Sequence, residues 1–184
     1  MACITKLAGG FGYDCDTGAT GLASAIIINK EDISSFIVAP YDGSAGSALA
    51  MTALTLAASA KAYKIDTPKR VLVASETLKV NEGAPNMYKH SVTLTATEEQ
   101  NAAFVKKFQG MPNGSFVVIT RGANLKNRVF GLYYGLSATS VERSSADNGG
   151  WVSLTLETPE QFIGEDFLGL SDELYTTLYD AAVY

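Results

Sequence analysis

His90 is the only histidine of the chain, and it stands between Lys89 and Ser91 in a segment that alternates like a β-strand. An imidazole can act as a general base, but it needs a nucleophile to activate and a partner to orient it. Serines and carboxylates are plentiful, yet no spacing singles out a triad, so His90 reads as a surface or structural residue. The glycine-rich stretches are equally silent. Gly43-Ser44-Ala45-Gly46-Ser47 does not make the strand-to-helix nucleophile elbow of hydrolases. Gly9, Gly10 and Gly12 do not complete a dinucleotide fingerprint, and no Gly-Lys-Ser/Thr is present for a phosphate loop. Asp14 and Asp16 flank Cys15, and Glu31 adjoins Asp32, but neither pair has the spacing of a calcium loop. Two cysteines, Cys3 and Cys15, are too few for a disulfide scaffold or for a zinc site without partners. Asn113-Gly114-Ser115 matches a glycosylation acceptor, although Pro112-Asn113-Gly114 is also a turn leading into a strand. The sequence therefore offers no catalytic residue, no cofactor-binding residue, no metal ligand and no cofactor. The expectation is a protein that is not an enzyme.

Composition points the same way. Apolar residues make up 47% of the 184 positions and charged residues 18%, below the usual quarter. Low charge beside high apolar content implies surface that is buried against other chains. A tightly folded monomer rich in Ser, Thr and Gly has a similar composition. The net charge of −5, with no Lys/Arg-rich run, argues against a protein that grips phosphates. Met1–Gly12 carries one lysine and no apolar stretch of secretion-signal length, so synthesis in the cytoplasm with reduced thiols is expected. Gly43–Ala60 is free of charge and roughly of membrane length, but Ala, Ser, Thr and Gly dominate it, so no membrane span is expected.

The elements that would carry any site are mostly strands. Short β-branched runs at Ala25–Asn29 and Ile33–Ala39 are followed by turn residues Tyr41-Asp42-Gly43-Ser44. Thr52–Ile65 allows helix through its alanines, but Thr52, Leu54, Leu56 and then Tyr63, Ile65 alternate, and strand is favoured. Arg70–Val80 reads as strand, Asn81–Asn86 as loop, and Tyr88–Ala96 as a half-buried strand with Val92, Leu94 and Ala96 on its inner face. Thr97-Glu98-Glu99-Gln100 is a capping box that opens a helix over 97–109, with Phe104 and Phe108 on one side and Gly110 at its end. Phe116–Thr120, Arg128–Val141 and Trp151–Glu157 follow as strands joined by hairpin loops around Gly122–Asn127 and Asp147–Gly150. In Arg128–Val141 the glycines at 131 and 135 suggest close backbone approach. Ser171–Val183 suits a second helix capped by Ser171, with Leu174 and Leu178 on one side and Tyr175, Tyr179 and Tyr184 adding aromatic surface. The fold class expected is β-rich α+β: an antiparallel β-sandwich or barrel flanked by one helix (97–109) and a C-terminal helix. The chain reads as a single domain, 1–184, with 40–60 as an extended arm or hairpin and 160–184 as a terminal docking segment.

The order of elements in 87–157 resembles the tail-tube family of long-tailed bacteriophages, the major tail proteins, and related tube proteins of contractile injection systems. The resemblance is carried by Ser-Val-Thr-Leu-Thr-Ala-Thr-Glu-Glu-Gln-Asn-Ala-Ala-Phe at 91–104, Arg-Val-Phe-Gly-Leu-Tyr-Tyr-Gly-Leu-Ser-Ala-Thr at 128–139 and Trp-Val-Ser-Leu-Thr-Leu-Glu-Thr-Pro-Glu at 151–160. It covers under half the chain, and that family is defined by fold, so no site residue is carried over. What it implies is a structural virion subunit. Such subunits form hexameric rings whose sheets join into an inner β-barrel, and the rings stack into a tube. The partners would be copies of itself, other tail proteins, and double-stranded DNA passing through the lumen during ejection without specific binding. The location would be the virion tail, after synthesis in the host bacterial cytoplasm. Closing a ring removes the sheet edges that are a liability in a monomer. Two other readings share these features: another virion subunit (tail terminator, baseplate or head-decoration protein), and a β-sandwich carbohydrate-binding module using Trp151 and the tyrosines at 133, 134 and 175.

Overall fold

The computed structural model describes residues 22–39, 50–65, 72–80, 82–83, 86–97, 110–144, 151–159 and 168–183. They form a β-rich α+β fold. Eleven strands run as β1 (Leu22–Asn29), β2 (Ile33–Ala39), β3 (Ala50–Leu56), β4 (Tyr63–Ile65), β5 (Leu72–Lys79), β6 (Met87–Thr97), β7 (Ser115–Gly122), β8 (Asn127–Phe130), β9 (Leu136–Ser144), β10 (Trp151–Glu157) and β11 (Gly169–Leu170). One helix, α1, spans Asp172–Ala181. The strands pair continuously in the order β2-β3-β11-β8-β7-β9-β10-β6-β5, with β1 joined to β7 and β4 to β1. Among the described residues the sheet is open and does not close into a barrel. It is also mixed, because β11 runs parallel to β3 while its other pairings are antiparallel.

Alternation decides how the sheet folds over itself. In β7, Val117 and Ile119 enter one apolar cluster while Phe116 and Val118 enter a second on the opposite side. Neighbouring β1 and β8 divide in the same way, Ile26, Ile28 and Val129 against Ala25 and Phe130. A strand covered on both sides needs a continuous apolar run, which Phe-Val-Val-Ile at 116–119 supplies. The first cluster is roofed by Met51 and Leu54 of β3 and by Tyr175 and Leu178 of α1. The second is closed by Leu72 of β5, Val92 and Leu94 of β6, and Leu154 and Leu156 of β10.

Most expected strands are present. Thr52–Ile65 divides into β3 and β4 around a turn in which Ala60 N–H donates to Ala57 O at 3.0 Å. Of the expected arm 40–60, positions 50–60 are described, and Ala50–Leu56 within them is a strand of the chain's own sheet between β2 and β11. Positions 40–49 lie outside the described residues, as do 98–109 of the expected helix 97–109; Thr97 itself is the last residue of β6. Asn113 closes a 3-10 turn, Met111–Asn113, that leads into β7.

The single strand expected over Arg128–Val141 is corrected to two. β8 ends at Phe130 and β9 starts at Leu136. Between them Gly131 and Gly135 adopt φ of +76° and +75°, conformations that L side chains rarely take. Gly135 N–H donates to Gly131 O at 2.9 Å and closes the turn. A Cβ on Gly131 would meet Leu136 Cγ at 2.7 Å and Phe116 O at 3.1 Å, and one on Gly135 would collide with Ser115 Oγ. The close approach expected at these glycines is therefore present, but in a reversal and not along a strand. Leu132 accordingly falls into the first cluster while Tyr134 faces solvent.

Candidate functional site

Helix α1 docks on its own chain. Ser171 Oγ accepts from Leu174 N–H at 3.3 Å, the expected cap, and Asp172 and Glu173 occupy the first turn where the helix dipole favours anions. Tyr175, expected as surface, is 1% exposed. Its hydroxyl lies 2.7 Å from Ser24 Oγ, its ring stacks on Tyr179 at 5.8 Å, and the Arg121 guanidinium lies 5.5 Å from its ring centroid. Burial pushes the phenol above its ordinary value of 10.0, and the Ser24 hydrogen bond opposes that shift. Asn127 Nδ2 donates to Leu170 O and to Asp172 Oδ1 at 3.2 and 2.7 Å, tying the β7–β8 hairpin to the start of α1. Val183 N–H donates to Ala62 O, and Lys64 N–H donates to Val183 O, which fastens the segment after α1 along β4.

His90, read as surface or structural, is fully buried. The alternation of β6 already implied this, because His90 is in phase with Val92 and Leu94. Its backbone is clasped by Thr158: His90 N–H donates to Thr158 Oγ1 at 2.9 Å, and Thr158 N–H donates to His90 O at 3.0 Å. On the imidazole, Nδ1 accepts from Gly131 N–H at 3.1 Å. Nδ1 therefore carries no proton, and the proton of the neutral ring sits on Nε2. Nε2 lies 3.3 Å from Oε2 of Glu76, the cross-strand neighbour on β5, close enough for attraction but not aligned as a hydrogen bond. The ring meets Phe130 edge-on, with centroids 5.3 Å apart. No nucleophile is placed against the imidazole in these contacts. They tie β6 to the Gly131–Gly135 turn, to Thr158 and to β5.

Two features of the sheet are arranged toward the outside. The first is its ends: among the described residues β2 pairs with β3 alone and β5 pairs with β6 alone. Both ends carry exposed apolar side chains, Ile37 at 61% on β2, Val73 at 56% and Leu78 at 46% on β5, and Val80 just beyond. The second is the outer side of β5-β6-β10-β9, which is covered with hydroxyls. Thr93 pairs across with Val73 and Thr155, and Ser91 with Ser75 and Glu157. Thr93 Oγ1 and Thr155 Oγ1 lie 3.3 Å apart, and Ser75 Oγ donates to Ser91 O. The charges described here balance: Lys79 and Lys89 against Glu142 and Glu157, with Lys89 Nζ 2.8 Å from Glu157 Oε2. Lys89 holds the Glu157 carboxyl below its ordinary value by hydrogen bonding and by its charge; hydroxyls of Thr139 and Ser91 assist, and partial burial works against them.

The remaining candidates are scattered. Asp14, Cys15, Asp16, Cys3 and Gly43–Ser47 lie outside the described residues. Glu31 and Asp32 belong to a 3-10 turn in which Asp32 Oδ2 accepts from Asn29 Nδ2 at 2.7 Å. Among the described residues no three His, Cys, Asp or Glu side chains stand together in a metal-binding arrangement. No described helix is long and apolar enough to cross a membrane. Tyr133 and Tyr134 are exposed on the Gly131–Gly135 turn, with Tyr133 edge-on to Phe36 at 5.2 Å, whereas Tyr175 is in the core and unavailable to a ligand. Comparison with protein-family models, curated proteins and solved structures gave no significant match.

Proposed function

We propose that this chain is a structural subunit that assembles with copies of itself, and that the assembly is the ringed tube of a bacteriophage tail. The observation that carries the reading is the open sheet whose two ends, β2 and β5, lie at opposite termini of the pairing order and bear exposed apolar side chains. Unpaired backbone on an edge is a template for another strand, and monomeric proteins blunt such edges with charge. Here β2 has no charged residue, and β5 has Glu76, which turns in toward His90, and Lys79 at its end. Unlike edges joined head to tail give a heterologous contact, which closes into a ring when the rotation per subunit allows. The hydroxyl-covered, charge-balanced side of β5-β6-β10-β9 suits a wall along which double-stranded DNA slides without being gripped, because it offers no concentration of cations to the phosphates. The resemblance of 91–104, 128–139 and 151–160 to tail-tube proteins supplies the narrower identity, and the virion tail is the corresponding location.

Negative-stain electron microscopy of the untagged protein over a concentration series, with light scattering on the same samples, tests the reading. Hollow rings or stacked tubes support it. A single ring or trimer that never stacks favours another virion subunit, and a monomer at every concentration overturns self-assembly. A second reading, a carbohydrate-binding module, is favoured by the adjacent exposed Tyr133 and Tyr134, since aromatic faces bind sugars. A glycan screen that gives saturable binding lost in Tyr134→Ala would support it.

A further inference from the structure

We propose that His90 is a proton-operated latch on the Gly131–Gly135 turn. The turn is held at its first residue by a hydrogen bond that only an unprotonated Nδ1 can accept, from Gly131 N–H at 3.1 Å. A proton added to the ring must go to Nδ1, because Nε2 already carries one. That converts the acceptor into a donor facing another donor, and the bond to Gly131 is lost. On the other side the imidazolium gains what the neutral ring lacks, a full charge 3.3 Å from the Glu76 carboxylate. Acidification therefore moves His90 from the turn toward the end strand β5.

Each part of the geometry is needed. The ring is fully buried, so water cannot easily replace either partner. Its backbone is fixed at both polar atoms by Thr158, so the side chain must respond and not the strand. Gly131 can answer, because it sits at φ +76° in a turn closed on itself by Gly135 N–H. Glu76 lies within ion-pair distance of the ring; Phe130, Gly131 and Thr158 carry no charge, and Lys89 lies on the opposite side of β6 against Glu157. The turn carries exposed Tyr133, which packs edge-on against Phe36 of β2.

The test is amide exchange and imidazole nitrogen NMR on the full chain between about pH 8 and about pH 5, the range in which an imidazole changes charge. At the upper end the ring should show the proton on Nε2. On acidification the Gly131 amide should lose protection by about five-fold or more beyond its intrinsic rate change, the equivalent of one ordinary hydrogen bond. In His90→Asn the amide oxygen can take the place of Nδ1 and does not titrate, so protection should not change with pH. In Glu76→Gln the release should move to lower pH, because the imidazolium loses its carboxylate. A ring protonated on Nδ1 at neutral pH, protection that does not change in the wild type, or an equal loss in His90→Asn overturns the proposal. If His90→Asn does not fold, Glu76→Gln decides: an unmoved transition overturns it.

Discussion

At the scale of single residues, the strongest constraints come from backbone conformation and from buried polar atoms. Gly131→Ala places an L side chain at φ +76°, which costs about 1–2 kcal/mol before any contact is counted. Its Cβ would also press on Leu136 Cγ and on the backbone oxygen of Phe116, neither of which can swing away freely. Loss of about 2 kcal/mol or more is expected in urea unfolding, and an Ala variant within ±0.5 kcal/mol of wild type would contradict the turn geometry. Tyr175→Phe keeps the ring in the core and removes only the hydroxyl bonded to Ser24, so a loss of about 1 kcal/mol is expected. Glu157 gives a pH signature. Its folded carboxyl is held below the ordinary 4.5, so its contribution is present above that value and disappears as pH falls through the folded one. The pair with Lys89 is partly exposed, so the contribution is at most about 1 kcal/mol. The gap in urea midpoint between wild type and Glu157→Gln should therefore be visible near neutral pH and close as the solution becomes strongly acidic. A gap that widens on acidification would contradict the sign.

At the scale of elements, the cap on α1 is a separable contribution. Ser171→Ala removes the acceptor for Leu174 N–H and should cost about 1 kcal/mol, measured as a shift in thermal midpoint. The same helix shows how much local sequence reveals. Ser171, the acidic first turn and the Leu174/Leu178 spacing are short-range signals that locate the helix and its start; it ends at Ala181, short of the expected Val183, which pairs with the chain at Ala62 and Lys64. The β7 strand was legible as well, because its apolar run needs cover on both sides. The burial of His90 was not read, although its phase with Val92 and Leu94 is a signal that could have found it. Two things depended on distant partners and were not legible. Periodicity alone continues Arg128–Val141 through the glycines as one strand; only the left-handed φ at Gly131 and Gly135, where Phe116 and Ser115 of β7 leave no room for a Cβ, turns it back. Tyr175 looked like surface aromatic because its partners Ser24 and Arg121 lie on β1 and β7, far away in sequence. Which strands end the sheet was hidden for the same reason, since an edge is a property of the pairing order and leaves no residue signature of its own.

At the scale of the whole molecule, the proposed assembly makes a demand that a generally sticky surface does not. If β2 of one subunit pairs with β5 of the next, the contact is heterologous, and each subunit needs both edges. A lysine on an edge is what natural sheets use to refuse a neighbour. Val73→Lys and Ile37→Lys both replace exposed side chains, so each variant should keep wild-type stability within about 0.5 kcal/mol. Val73→Lys retains only a usable β2, and Ile37→Lys retains only a usable β5, so each alone should remain monomeric where the wild type assembles. Mixed in equal amounts they should form a heterodimer and nothing larger, because one intact β2 meets one intact β5 and both remaining edges are blocked. Size-exclusion chromatography with light scattering reads the result as mass. An isologous contact of β5 with β5 predicts otherwise: Ile37→Lys would dimerise without a partner, and mixing would add nothing. Assembly through some other surface predicts that both variants still form the wild-type particle. The mixing experiment thus separates head-to-tail pairing of β2 with β5 from an isologous β5 contact and from assembly through another surface by mass alone.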